Sequence, residues 1–167
     1  EKMRKAAKHY PMMIVISTVY PCNFGCPNCP YSEGNSDLRS QYKEKGGDYF
    51  PEELWNKVAL ESGPHDTWLR CTGGGEPMMH PRMTQMIQFA KKQGCRVWLN
   101  TNSSLFGPNA RQRAKLESII QSGVDIIEFS MDAGDAFTYN QVRPPLKGNV
   151  ANIESRWRDQ VENVKKA

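Results

Sequence analysis

Cys22, Cys26 and Cys29 stand at C-x3-C-x2-C spacing in the stretch Cys22-Asn23-Phe24-Gly25-Cys26-Pro27-Asn28-Cys29. Thiolates are the usual ligands of iron–sulfur clusters and of structural zinc. Three of them can hold three irons of a cubane cluster and leave the fourth iron open. A loop lets three side chains at this spacing converge on one object. A zinc knuckle and a disulfide framework are the alternatives. A closed zinc site takes four ligands, usually as paired C-x2-C or H-x3-H. Here Cys71 and Cys95 are far apart in sequence, and His65 and His80 are single. The odd total of five cysteines, three of them clustered, argues against a secreted disulfide scaffold.

Three further stretches carry residues suited to a ligand site. Thr72-Gly73-Gly74-Gly75-Glu76-Pro77 permits positive φ and close approach to a backbone. On its own it is also an ordinary turn composition. Asn100-Thr101-Asn102 and the pair Ser130 and Asp132 supply hydrogen-bonding groups. Asp132 reads equally as a helix cap. Cys71 and Cys95 read as small buried hydrophobes, and Met78 and Met79 as core filling. His80 reads as the lead into a helix, and His9 and His65 as surface residues.

The elements that position these stretches follow from periodicity. Residues 12–19 form a continuous apolar, β-branched run, the pattern of a strand buried on both faces. Further strands are expected at 67–72, 95–101 and 124–131. Pro51-Glu52-Glu53 opens a helix whose buried stripe is expected from Leu54 and Val58, with Trp55 and Leu60. A helix after Pro81 presents Met83, Met86, Ile87 and Ala90 at helical spacing and stops at Gly94. Others are expected over 110–121, ended by Gly123, over 136–143, halted by Pro144-Pro145, and from an Asn149 cap through Val164. Trp55, Trp68 and Trp98 are assigned to the core or its helix layer. Residues 32–48 read as a polar surface excursion.

Strand, loop and helix alternate four times. That predicts an α/β fold with an open parallel sheet of about four βα units, a partial TIM-like barrel. Its far edge would be raw, which suggests a piece of something longer or a pairing with another domain or chain. In such folds ligands collect at the carboxyl ends of the strands, where all the stretches above fall.

The chain has 167 residues, a net charge of +4 and a mean hydropathy of -0.67. The domain expectation is a basic segment at 1–11 and one core over 12–167, without a C-terminal auxiliary or substrate domain. The charge excess sits at the ends and reads as solvated helix faces, not a nucleic-acid footprint. No stretch has the length of a membrane span and no signal peptide precedes the core. A cytoplasmic location, which keeps thiols reduced, fits best.

The cysteine spacing after the first strand, Gly-Gly-Glu-Pro after the second and Ser-x-Asp after the fourth resemble the radical S-adenosylmethionine superfamily over residues 12–150. Within it the likeness is to the group often extended by a SPASM or twitch domain. The resemblance implies that Cys22, Cys26 and Cys29 hold a [4Fe–4S] cluster whose open iron chelates the methionine part of S-adenosylmethionine. It implies that Gly74, Gly75 and Glu76 contact the cofactor's amino group. Ser130 would bind its ribose or carboxylate, and Arg143 would pair with the carboxylate. Thr101 and Asn102 would line it, and Asp132 would touch it or cap a helix. The implied chemistry is reductive cleavage to a 5′-deoxyadenosyl radical that takes hydrogen from a substrate, with flavodoxin or ferredoxin as reductant. The residue before the third cysteine, often aromatic in the family, is Asn28, so Phe24 or Tyr31 would take over the adenine or the contact would be polar. Peptide or protein maturation is the leading function. An epimerase or dehydrogenase of a sugar or aminocyclitol and a non-catalytic electron-transfer module are the alternatives.

Overall fold

The computed structural model describes residues 10–32, 47–146 and 153–166. The basic segment 1–9, with His9, the excursion over 33–46 and the expected cap Asn149 lie outside the described residues. Four strands, β1 (Met13–Ile16), β2 (Trp68–Cys71), β3 (Arg96–Thr101) and β4 (Ile126–Phe129), form one sheet in the order β1-β2-β3-β4. Every pairing is parallel, with Met13 opposite Trp68, Trp68 opposite Arg96 and Trp98 opposite Ile126. Sequential order of this kind belongs to a barrel wall, not to a doubly wound sheet, where the order reverses. The architecture is the expected open, partial barrel. Among the described residues no helix is long and apolar enough to cross a membrane.

Helices α1 (Glu52–Ser62), α2 (Met83–Lys92) and α3 (Ala110–Gln121) connect the strands, and α4 (Ala136–Val142) and α5 (Ile153–Lys166) follow β4. Their ends carry the expected local signals. Pro51 precedes α1 with Glu52 and Glu53 in its first turn. Asn109 accepts from the Gln112 backbone N–H at 2.9 Å to cap α3, and Asp135 accepts from the Thr138 N–H at 2.9 Å to cap α4.

Alternation along each strand divides the sheet into two unlike faces. Ile16, Leu69, Cys71, Val97 and Leu99 point into a dry core with Trp55, Met83, Met86, Ile87, Leu116 and Ile119. The other face is half-buried and polar. Trp68 and Trp98 meet edge-on at 6.3 Å, and the Arg70 guanidinium lies 4.3 Å over the Trp98 ring. Arg70 pairs with Glu128 at 2.8 Å, and the Trp98 indole N–H donates to the same carboxylate at 2.9 Å.

Three expectations are corrected by this division. The first strand is four residues long and is not buried on both faces: Met13 and Val15 are exposed on the polar side, with Val15 at 60%. Trp68 and Trp98 lie on the face away from the helix layer, and only Trp55 joins the core. The buried stripe of α1 is Trp55, Ala59 and Ser62, while Leu54 and Leu60 stay exposed at 45% and 55%. Trp55 decides the rotation: its indole N–H donates to the Met86 carbonyl at 2.8 Å, so the ring is buried with its polar atom satisfied. The Met83, Met86, Ile87, Ala90 stripe of α2 is as expected. Trp55→Ala should therefore cost about 3–5 kcal/mol in urea unfolding, whereas Leu60→Ala should stay within about 0.5 kcal/mol. Equal costs would mean that the helix presents the other stripe.

Candidate functional site

The carboxyl ends of all four strands open on one cavity of 470 Å³. That volume lies in the range of small-molecule sites, about 300–1,000 Å³. Cys22, Cys26 and Cys29 enter it after β1, Gly73 to Glu76 after β2, Asn100 and Asn102 from β3, and Ser130 and Asp132 after β4. Arg143, at the end of α4, closes the wall. The three thiols are arrayed along this wall; among the described residues no three Cys, His, Asp or Glu side chains close on a single ion position.

The cysteine loop is fastened at several points. The Cys29 N–H donates to the Cys26 carbonyl and the Ser32 N–H to the Cys29 carbonyl, each at 3.1 Å. The segment after α4 pairs with it: Gly25 N–H donates to the Pro144 carbonyl and Leu146 N–H to the Asn23 carbonyl, each at 2.9 Å. Phe24 is buried edge-on to Tyr139 at 6.5 Å, with the Arg156 guanidinium 5.3 Å over its ring. Burial pushes the Cys22 and Cys26 thiols up; the Arg143 guanidinium pulls Cys26 partly back. The thiol of Cys71, fully buried, is pushed up to about 12, in keeping with a small buried hydrophobe.

The glycine turn has a reason beyond a ligand. Gly75 N–H donates to the Gly73 carbonyl at 2.8 Å, with φ +73° at Gly73 and +67° at Gly74. A Cβ on Gly75 would stand 2.1 Å from the Pro21 carbonyl oxygen, and one on Gly74 2.6 Å from that of Val19. The bare backbone is needed so that this turn can lie against the root of the cysteine loop. Glu76 N–H then donates to the Pro21 carbonyl at 3.0 Å.

Glu76 is buried, and its carboxylate is taken up by the chain's own donors. Oε1 accepts from Thr101 Oγ1 at 2.6 Å and from Met78 N–H at 2.9 Å; Oε2 accepts from Asn102 N–H at 2.6 Å. Burial raises its pKa, while these donors and the Lys115 charge oppose the rise. Thr101, expected to line the site, is instead buried behind the wall on Glu76. Asn102 does line the cavity, and its side chain turns to the cysteine loop.

Asp132 does not cap α4; Asp135 does. The Asp132 carboxylate accepts from the Arg143 guanidinium, at 2.8 Å from Nε and also from Nη2, and its own backbone has φ +52°. Ser130 lies near Asn100, Oγ to Oδ1 3.5 Å. Both aromatic candidates line the cavity; Phe24 is buried against Tyr139 and Arg156, while Tyr31 is half-buried. Sequence reasoning singled out Asn100 but missed Asn23, Ser104 and Arg156. Ser104 is two residues after Asn102, the spacing of an Asx turn, which was a usable signal. Asn23 meets partners about eighty positions away, and nothing local marks that.

A model of the radical SAM superfamily matches residues 16–167 of the chain. The tungsten-containing aldehyde ferredoxin oxidoreductase cofactor-modifying protein of Pyrococcus furiosus is 28% identical over 113 residues, 66% of this chain and 28% of that protein. SuiB of Streptococcus suis, solved with S-adenosylmethionine and also with the precursor peptide SuiA, superposes with a TM-score of 0.65 in the S-adenosylmethionine complex. There it is 15% identical, and the match covers 99% of this chain and 34% of SuiB. BtrN, solved with AdoMet and 2-DOIA, superposes with a TM-score of 0.58 at 15% identity, over 87% of this chain and 55% of BtrN. The chain spans less than two thirds of each of these proteins.

Glu76→Gln tests the carboxylate's role. An amide presents an NH2 to a backbone N–H that now has an acceptor, so a loss of about 1–3 kcal/mol is expected in urea unfolding. Because the folded pKa is raised, native Glu76 holds its proton more tightly than the unfolded chain does. Its contribution is complete below the ordinary glutamate range and declines as pH rises through the folded value. The cost of the substitution should shrink over that window; a cost that grows with pH would reverse the assignment.

Proposed function

The chain belongs to the radical S-adenosylmethionine superfamily, and on that premise we propose that it is the catalytic core of an enzyme that matures a peptide or protein. The observation that carries this reading is one cavity shared by three thiols, a glycine turn and the Arg143 guanidinium at the carboxyl ends of parallel strands. Members of the superfamily work with a [4Fe–4S] cluster and S-adenosylmethionine. The residues here fit such groups. Three soft thiols suit iron and leave one metal corner without a protein ligand. The buried Tyr139 hydroxyl, near this wall, has no hydrogen-bond partner among the described residues.

Cys22, Cys26 and Cys29 would hold the cluster, and the turn at Gly74, Gly75 and Glu76 would bound the methionine end of the cofactor. Since the Glu76 carboxylate is engaged inward, backbone carbonyls of the turn are what remains for an ammonium group. Arg143 is the guanidinium available to a carboxylate, and Asp132 holds it in place until then. Ser130 and Asn100 offer hydrogen bonds to ribose, Asn102 lines the cavity beside them, and Tyr31 offers a ring face to adenine. When bound, these groups supply one-electron cleavage of the sulfonium to methionine and a 5′-deoxyadenosyl radical that abstracts a substrate hydrogen atom.

A peptide substrate is supported by SuiB, which binds a precursor peptide and matches this chain almost throughout. The second reading, an epimerase or dehydrogenase of a sugar or aminocyclitol, is supported by BtrN, which was solved with AdoMet and the small molecule 2-DOIA. The core assigned to residues 12–167 leaves the β4 edge for a further domain or chain. A flavodoxin- or ferredoxin-type reductant and the reducing cytoplasm complete the proposal.

Anaerobic reconstitution with iron and sulfide, followed by dithionite and S-adenosylmethionine, should release 5′-deoxyadenosine. Cys26→Ala should abolish the release, and its persistence would sink the reading. Arg143→Lys keeps the charge but loses the fork, and should raise KM for S-adenosylmethionine about tenfold. Deuterated peptides against deuterated cyclitols, read by label in the nucleoside, separate the two substrate classes.

A further inference from the structure

The amide of Asn102 is locked in one orientation by a closed ring of hydrogen bonds. Ser104 N–H, which can only donate, lies 3.0 Å from Asn102 Oδ1. A flipped amide would set NH2 against that N–H, so the oxygen is assigned by its neighbour. The ring then runs one way. Asn102 Nδ2 donates to Asn23 Oδ1 at 3.0 Å, Asn23 Nδ2 to Ser104 Oγ at 2.7 Å, and Ser104 Oγ to Asn102 Oδ1 at 2.6 Å. One hydrogen of the Asn102 amide is used in this ring. The other is left for Cys22 Sγ, 3.8 Å from the same nitrogen. Asn102 is buried, and its backbone N–H is pinned to Glu76 Oε2 at 2.6 Å, so the donor cannot swing away.

We propose that Asn102 is a positioning residue that places Cys22 Sγ and donates a hydrogen bond to it when the thiolate holds iron. This rests on the cluster reading above. A neutral thiol is a weak acceptor, whereas a metal-bound thiolate carries charge, and hydrogen bonds to ionised acceptors are about twice as strong as neutral ones. The bond should therefore strengthen on loading. Donation to a cluster sulfur favours the reduced, more negative state, and so sets the cluster potential upward. Ser104 and Asn23 act only through Asn102, as a brace on its orientation.

The test is the potential of the reconstituted cluster, followed by EPR without S-adenosylmethionine. Asn102→Ala should load iron as wild type does but reduce at a more negative potential. Asn102→Asp, which keeps the acceptor for Ser104 and puts an anion beside the sulfur, should move it further in the same direction. Ser104→Ala keeps the donor and should shift the potential less than Asn102→Ala. An unchanged potential in a fully loaded Asn102→Ala protein overturns the proposal; so does a Ser104→Ala shift as large as that of Asn102→Ala, because loop position would then be responsible. If neither Asn102 variant loads, protein carrying 15N only at asparagine side-chain amides, with Asn28 replaced by alanine, decides. A 15N coupling to the reduced cluster that persists after Asn23→Asp and Asn100→Ala supports the bond, and its absence overturns it. A wild-type protein that takes up no cluster at all defeats the parent reading and this inference with it.

Discussion

The rim of this half-barrel depends on one buried carboxylate. Glu76 sits after β2, and its two oxygens reach the end of β3 through Thr101 and Asn102 and the following helical turn through Met78. A carboxylate without partners at this depth would cost several kcal/mol, so its donors are a condition of the fold. The same turn is gripped from outside, where Lys115 Nζ donates to the Met78 carbonyl at 2.7 Å. Glu76 N–H reaches the Pro21 carbonyl, at the root of the cysteine loop. One residue thus joins the exits of three successive strands. The chemistry of the rim is arranged by contacts that no ligand has to make.

This arrangement explains why the thiols can be held in a loop. A loop carrying three half-buried cysteines has few apolar contacts with which to order itself. It borrows order from a glycine turn on one side and from residues 144–146 on the other. Burial raises the pKa of the Cys22 and Cys26 thiols, so this wall favours neutral thiols over thiolates standing free in solvent.

Sequence made the elements legible wherever one physical signal dominated. The α2 stripe and the limits of α3 follow from periodicity and caps, and the strand ends follow from Gly and Asn. It failed where two answers share a period. Along α1, Leu54, Trp55, Val58 and Leu60 are all apolar, and the partner for the Trp55 indole in α2 decides the rotation, which buries Trp55, packs Val58 against the core's edge and leaves Leu54 and Leu60 exposed. The run at 12–19 reads as doubly buried because its residues are apolar. Whether a helix covers the second face is a tertiary fact, and among the described residues none covers Met13 or Val15. The same holds for Trp68 and Trp98, whose partners lie on neighbouring strands: Arg96 and Trp98 for Trp68, Arg70 and Glu128 for Trp98. At the site, residue types were legible and roles less so. Thr101 and Glu76 face each other inward because a buried carboxylate must be satisfied, which spacing does not encode.

Sequential strand order also constrains the site's shape. Neighbouring strands lie about 4.8 Å apart, so four exits in a row span roughly 14 Å. Left as a row, the thiols after β1 and Asp132 after β4 would stand at opposite ends. The chain removes that separation after α4. Phe24 and Pro145 form an antiparallel bridge, and Gly25 and Leu146 extend it with backbone hydrogen bonds. This carries the fourth strand's sequel back onto the first strand's loop, and Arg143, one residue before the returning segment, arrives close enough to Cys26 to oppose the rise that burial gives its thiol. Arg156 seals the return by stacking over Phe24 and donating to the Arg143 carbonyl at 3.1 Å. An open sheet thereby acquires a closed mouth, with the guanidinium and the thiols on the same side of it. The Pro144-Pro145 pair, which reads in the sequence only as a helix stop, is where the chain meets the cysteine loop: Gly25 N–H donates to the Pro144 carbonyl, and Pro145 bridges Phe24.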